Sequence, residues 1–211
     1  QLEPRILAAM AGDAAMIAAG ADGDLYPGLV NAGVVETRDQ AKVAMLSAMY
    51  GGTTGDGGRL LPRLAKAYPA AIAMVDAAAR AGERGEQVRT WLGRTSPPGR
   101  RDAQQQQARA WGRFTRNFIV QGTAAEWALC WLGGIRGRLS AAFDGPFPET
   151  VPHLVFFLHD EVIVHTPIED APRVSGIIQE AAADAGRLLF GQRPAVFPLT
   201  CVTVEHYAAA K

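Results

Sequence analysis

The segment Leu154-Val155-Phe156-Phe157-Leu158-His159-Asp160-Glu161-Val162-Ile163-Val164 constrains the fold more than any other stretch of this chain. Two runs of β-branched and aromatic residues flank a polar triplet, a pattern that predicts two short strands joined by a hairpin turn at His159-Asp160-Glu161. A tight strand–turn–strand holds Asp160 at a fixed place with a rigid sheet behind it. Adjacent carboxylates at such a tip repel each other and lose hydration unless solvent or a cation relieves them. Oxygen ligands on a rigid platform suit Mg²⁺, which takes one or two carboxylates together with substrate phosphates. Taken alone, the three letters more often mean an ordinary acidic turn exposed to water, because short motifs match by chance.

Most of the remaining sequence reads as helix, so the expected fold class is α+β. Leu2, Ile6, Leu7, Met10 and Ile17 fall near one face and predict an amphipathic helix from Leu2 to Ala19. Ala21 to Tyr26 reads as a turn in which Asp24 supplies a cap. Thr37 or Glu36 opens a helix that runs to Tyr50 and stops at Gly51-Gly52. Gly55 to Gly58 reads as flexible, and an Ala-rich helical stretch from Leu61 to about Arg80 is interrupted near Pro69. Alternation over Gln87 to Leu92 predicts a short strand, followed by a turn region from Gly93 to Arg101. The longest helical stretch runs from Gln104 to about Leu139, a further amphipathic helix from Pro172 to Phe190, and a closing strand from Leu199 to Val204. No internal repeat is present.

At 211 residues with 48% hydrophobic content, the chain is long enough for one compact domain or two small lobes. It has no run of about 18 apolar residues and no basic-then-apolar leader, so neither a membrane span nor a signal peptide is expected. Gln1 is not an initiating Met, which fits a numbering that starts inside a larger protein or the loss of an amino-terminal part. Cys130 and Cys201 lie in no C-x-x-C pair and beside no metal-ligand histidines, as expected of reduced core thiols in a cytoplasmic protein. The 21 basic and 21 acidic residues cancel, which speaks weakly against nucleic acid held by overall charge and leaves the distribution of charge to decide.

Two helical constellations add to the hairpin. Arg38, Lys42, Met45/Leu46 and Met49/Tyr50 form one slowly drifting stripe on the helix that Gly51 closes. Cations in the first turns oppose the helix dipole, a placement that makes sense where a polyphosphate binds, and an aromatic at the far end can stack on a nucleobase. A solvated basic face continuing into the core explains the same stripe. Arg113, Asn117 and Gln121 recur at i, i+4 and i+8, and Gly122-Thr123-Ala124-Ala125 beyond them lets another backbone come close. Such side chains suit sugar and phosphate oxygens and minor-groove acceptors, or simply an exposed amide-rich face.

Taken in order, these residues resemble the polymerase domain of the bacterial DNA polymerase I family, with a compact actinobacterial exonuclease/polymerase branch the nearest in kind. Gln1-Leu2-Glu3-Pro4-Arg5 is similar to the tail of that family's first motif, and Arg38…Lys42…Leu46…Tyr50-Gly51 to its fingers helix. Thr90-Trp91-Leu92-Gly93-Arg94 resembles a turn in the fingers. Arg113…Asn117…Gln121-Gly122-Thr123-Ala124-Ala125 resembles the helix that contacts primer–template, and His159-Asp160-Glu161 the second metal-binding motif. The resemblance covers nearly all of the chain. It departs from the family where Leu46 stands in place of an aromatic and where Gly51 to Thr90 is shorter than in most relatives.

The resemblance implies template-directed DNA synthesis by two-metal phosphoryl transfer, with primer–template DNA and deoxynucleoside triphosphates as partners. It divides the chain into a palm remnant (1–15), a mostly helical fingers subdomain (16–112) and an antiparallel-sheet palm carrying the hairpin (113–211). Asp160 would ligate Mg²⁺ with Glu161 as an auxiliary carboxylate, and Arg38 and Lys42 would hold the triphosphate, Lys42 also neutralising the departing pyrophosphate. Leu46 would pack against the sugar, Tyr50 would sit by the nascent pair, and Glu3 would crowd the 2′ carbon. Arg113, Asn117, Gln121 and His159 would contact DNA. The family's leading aspartate would precede Gln1, so the 211-residue piece is expected not to polymerise DNA by itself. A catalytically silent DNA-binding relative is the alternative.

Overall fold

The computed structural model describes residues 1–52, 55–100, 102–145, 151–191 and 193–210. Eight α-helices, two short 3₁₀ helices and one two-stranded antiparallel sheet make up its regular structure among those residues, an α+β fold. Packing divides the chain into two units: residues 1–126 with 190–196, and residues 127–189 with 197–211. None of the described helices is long and apolar enough to cross a membrane.

In the first unit, the predicted helix from Leu2 to Ala19 is two helices, α1 (Leu2–Ala11) and α2 (Ala14–Ala19). Gly12 takes a left-handed φ of 62° and ends α1, and Asp13 then caps α2 by accepting from Met16 N at 3.1 Å. The other Asp13 oxygen accepts from Ala70 N and Ala71 N, each at 3.1 Å, in the first turn of α6 (Pro69–Glu83). One buried carboxylate thus satisfies orphan N–H groups of two helices. The carbonyls at the far end of α1 are met by Arg193, whose guanidinium donates to Ala9 O and to Met10 O.

Asp24, the expected cap at the end of the Ala21–Tyr26 turn, opens a short helix, α3 (Leu25–Asn31). Thr37 caps α4 (Arg38–Tyr50) by accepting from Gln40 N at 3.2 Å, and Gly51 closes it at φ 76°. Gly55–Gly58, read as flexible, is the first turn of α5 (Gly55–Ala67). Contact overrides propensity here: Gly57 is buried so tightly against α4 that a Cβ on it would stand 1.9 Å from Ser47 Oγ. The break near Pro69 falls between α5 and α6.

The long helix α7 runs from Gln105 to Ala142, its part up to Glu126 belonging to the first unit. It crosses α6 at small residues, where Thr115 Oγ1 donates to Ala78 O at 2.8 Å and a Cβ on Gly112 would stand 2.9 Å from Ala79 O. Arg116 ties α7 to both neighbours, through Nε to Ala48 O and through Nη2 to Asp76, each at 2.5 Å.

The second unit packs the remainder of α7 against α8 (Ala171–Phe190), with Trp127 and Trp131 fully buried. Trp131 Nε1 donates to Ile178 O at 3.0 Å, and the Trp127 ring lies 5.0 Å from that of Phe197. The expected hairpin is present as β1 (His153–Leu158) and β2 (Glu161–His165), with Leu158 opposite Glu161 and an irregularity at Val155. The closing strand expected at Leu199–Val204 does not form: that stretch pairs with no strand among the described residues and is largely exposed. Alternation gives it the sidedness of a strand, but a strand forms only where a partner's backbone meets it. Cys130 and Cys201 are unbridged, and both are half-buried where core positions were expected.

Candidate functional site

Three residues from three sequence motifs meet in the first unit. Tyr50, the last residue of α4, donates its hydroxyl to Glu3 Oε2 at 2.8 Å, and Gln121 Nε2 on α7 donates to the same hydroxyl at 3.1 Å. Burial raises the Tyr50 pKa and the bond to Glu3 raises it further, so the hydroxyl stays a donor at neutral pH. Arg113 joins them: at Gly51, where the left-handed turn brings the chain against α7, a Cβ would stand 2.7 Å from Arg113 Cγ. Asn117, one turn from Gln121, carries a buried side-chain oxygen with no hydrogen-bond partner among the described residues.

Arg38 and Lys42 are exposed on the first turns of α4, and Leu46 is half-buried below them. Arg38 Nε donates to Asp24 Oδ2 at 2.9 Å, and the guanidinium lies over the Tyr26 ring at 5.3 Å. The hydrogen bond to Asp24 raises the Arg38 pKa. Burial pushes Asp24 up, but bonds from Arg38, the Tyr26 backbone and Gln1 outweigh it and hold this carboxyl below its ordinary range.

The predicted strand at Gln87–Leu92 forms only one isolated bridge among the described residues, Arg89 to Thr95, and ends in a tight turn at Trp91-Leu92. Gly93 at φ 94° completes the reversal. The turn is clamped onto α7, where Trp91 N donates to Thr123 Oγ1 at 3.0 Å, Leu92 N to Glu126 Oε2 at 2.9 Å, and Thr90 Oγ1 to Glu126 Oε1. The small-residue run after Gln121 therefore does admit another backbone, that of this turn. A Cβ on Gly122 would stand 2.3 Å from Thr90 Cγ2, so Gly122→Ala is expected to cost about 1–3 kcal/mol, read as a lower urea midpoint at unchanged slope. Glu126 was not singled out from the sequence; the available signal was an acidic residue directly after four small ones.

In the second unit, His159 and Asp160 form the two-residue turn between β1 and β2, both exposed. His159 holds φ 56°, the sole positive value at a non-glycine among the described residues, and such strain collects where a site needs a particular turn. Glu161 Oε2 accepts from Tyr207 Oη at 2.8 Å. Both carboxylates border a cleft of about 1070 Å³ between β2, the start of α8 and residues 198–210. Among the described residues, no cluster of three or more His, Cys, Asp or Glu forms a metal cage.

The chain is similar to the POL domain of Pol1 from M. smegmatis, solved in complex with DNA primer-template and dNTP, at a TM-score of 0.72 and 18% identity over 88% of this chain. It spans 35% of that chain's length. At this identity the likeness is one of fold. No protein-family model and no curated protein sequence matches the chain.

Proposed function

We propose that the chain is the nucleotide-binding and primer–template-binding part of a template-directed DNA polymerase, with residues 16–112 as fingers and residues 1–15 and 113–211 as palm. The observation that carries this reading is the Glu3–Tyr50–Gln121 junction: the three motifs that the polymerase resemblance links meet at one hydroxyl, within a polymerase-like fold.

In this reading, Arg38 and Lys42 bind the triphosphate and offset the charge of the pyrophosphate as it leaves. Tyr50 closes the far end of the same stripe beside the new base pair, and Leu46 packs against the sugar. The Tyr50 hydroxyl holds the Glu3 carboxylate in place to crowd the sugar's 2′ carbon. Arg113, Asn117 and Gln121 hold the primer–template, the unpartnered Asn117 oxygen being one group that a nucleic-acid donor would satisfy. His159 lies by the primer end. Asp160, with Glu161 beside it, fits Mg²⁺, an ion that draws its other ligands from phosphate and water. When bound, two such ions lower the pKa of the primer hydroxyl and offset charge in the in-line transition state.

Thermal shift tests the reading. A deoxynucleoside triphosphate with Mg²⁺ at a hundred times its dissociation constant is expected to stabilise the chain by about 2.7 kcal/mol. Stabilisation by duplex DNA alone would instead identify a catalytically silent DNA-binding protein, and no shift with either would end both readings.

A further inference from the structure

Asp24 caps α3 with one carboxylate oxygen and meets Arg38 with the other. Oδ1 accepts from Tyr26 N at 3.0 Å and from Gln1 Nε2 at 2.5 Å, while Oδ2 accepts from Arg38 Nε at 2.9 Å. This bond uses one edge of the guanidinium. Arg38 Nη1 and Nη2 donate to no protein group among the described residues, and the side chain is 54% exposed. The buried Tyr26 ring supports the guanidinium from one face.

A carboxylate at one edge and an aromatic face beneath fix the plane of the fork. The two nitrogens left over are the pair that binds phosphate oxygens side by side. Without these supports, an arginine in the first turn of α4 would be pushed outward by the helix dipole and would spread over many rotamers. Lys42, one turn on, has no ion-pair or hydrogen-bond partner among the described residues.

We propose that Asp24 is a positioning residue for polyphosphate: it pre-orients Arg38 so that a triphosphate meets a fork already in place. This rests on the triphosphate reading given above. Asp24 also has an opposing effect, because its own charge repels phosphate. That field is screened within about 8 Å at physiological salt and acts whether or not Arg38 is present.

A double-mutant cycle separates the two effects. Binding of a deoxynucleoside triphosphate with Mg²⁺, and of inorganic tripolyphosphate, is measured by calorimetry on the 211-residue chain and its Asp24→Asn, Arg38→Ala and doubly substituted forms. Asparagine keeps the oxygen that caps α3 and places an NH₂ where Arg38 Nε needs an acceptor. Asp24→Asn is expected to weaken binding about three- to fivefold in the native background, the scale of an exposed ion pair, and not to weaken it in the Arg38→Ala background. Equal factors in both backgrounds, or tighter binding in the native one, overturn the positioning role while the triphosphate site stands. An Arg38→Ala form that binds as well as the native chain overturns both. If Asp24→Asn melts below the assay temperature, Asp24→Ser, which also caps, carries the same cycle.

Discussion

Asp160→Asn is expected to reduce primer extension about a thousandfold or more in an active polymerase carrying this sequence, while leaving its melting temperature within a degree or two. Loss of an electrostatic group that acts on the developing charge of a transition state costs two to three orders of magnitude even for a neutral donor, and a metal-binding carboxylate does more. The fold should tolerate the change because Asp160 is exposed in a two-residue turn whose strained position is His159. Glu161→Gln is the matched comparison. One Glu161 oxygen accepts from Tyr207, and glutamine keeps an oxygen that can do the same, so this variant should hold the hairpin and lose activity only modestly. Steady-state incorporation rates for both variants, beside their melting curves, check this. Extension by Asp160→Asn within tenfold of the native rate would remove the hairpin tip from the reacting centre.

The largest effect on stability is expected at Asp13. Asp13→Ala strips the acceptor from Met16 N, Ala70 N and Ala71 N at once, at a residue only 4% exposed. Each buried N–H left without a partner costs about 1–3 kcal/mol, and partial access of water to a helix end lowers the sum, so about 3–5 kcal/mol is expected. Asp13→Asn should fall between, since its NH₂ must face at least one of the three donors. Urea denaturation followed by circular dichroism measures both. A loss below about 1 kcal/mol for the alanine variant would mean that α2 and α6 do not depend on this shared cap.

How much of this was legible beforehand depends on the range of the interaction. The hairpin around Asp160, the cap at Thr37, the stop at Gly51 and the long helix through Gln121 are written in neighbouring residues, because β-branched runs, capping hydroxyls and left-handed glycines act within a few positions. The same local rules misread the chain where a distant contact won. Gly55–Gly58 is helical because Gly57 lies against Ser47, Gln87–Leu92 breaks into a turn at Trp91-Leu92 that α7 clamps, and Leu199–Val204 has the alternation of a strand but no strand partner among the described residues.

The candidate site divides in the same way. Residue types and spacing along single helices brought Arg38, Lys42, Arg113, Asn117 and Gln121 to notice, since side chains three or four apart share a face. Tertiary structure alone decided that Gln121 reaches the Tyr50 hydroxyl held by Glu3, that Asp24 grips the edge of Arg38, and that Asp13 caps a helix beginning 56 residues further on. Periodicity records which way a side chain faces. It carries no record of what arrives there from elsewhere in the chain, and a hydrogen bond needs both partners within about 3 Å.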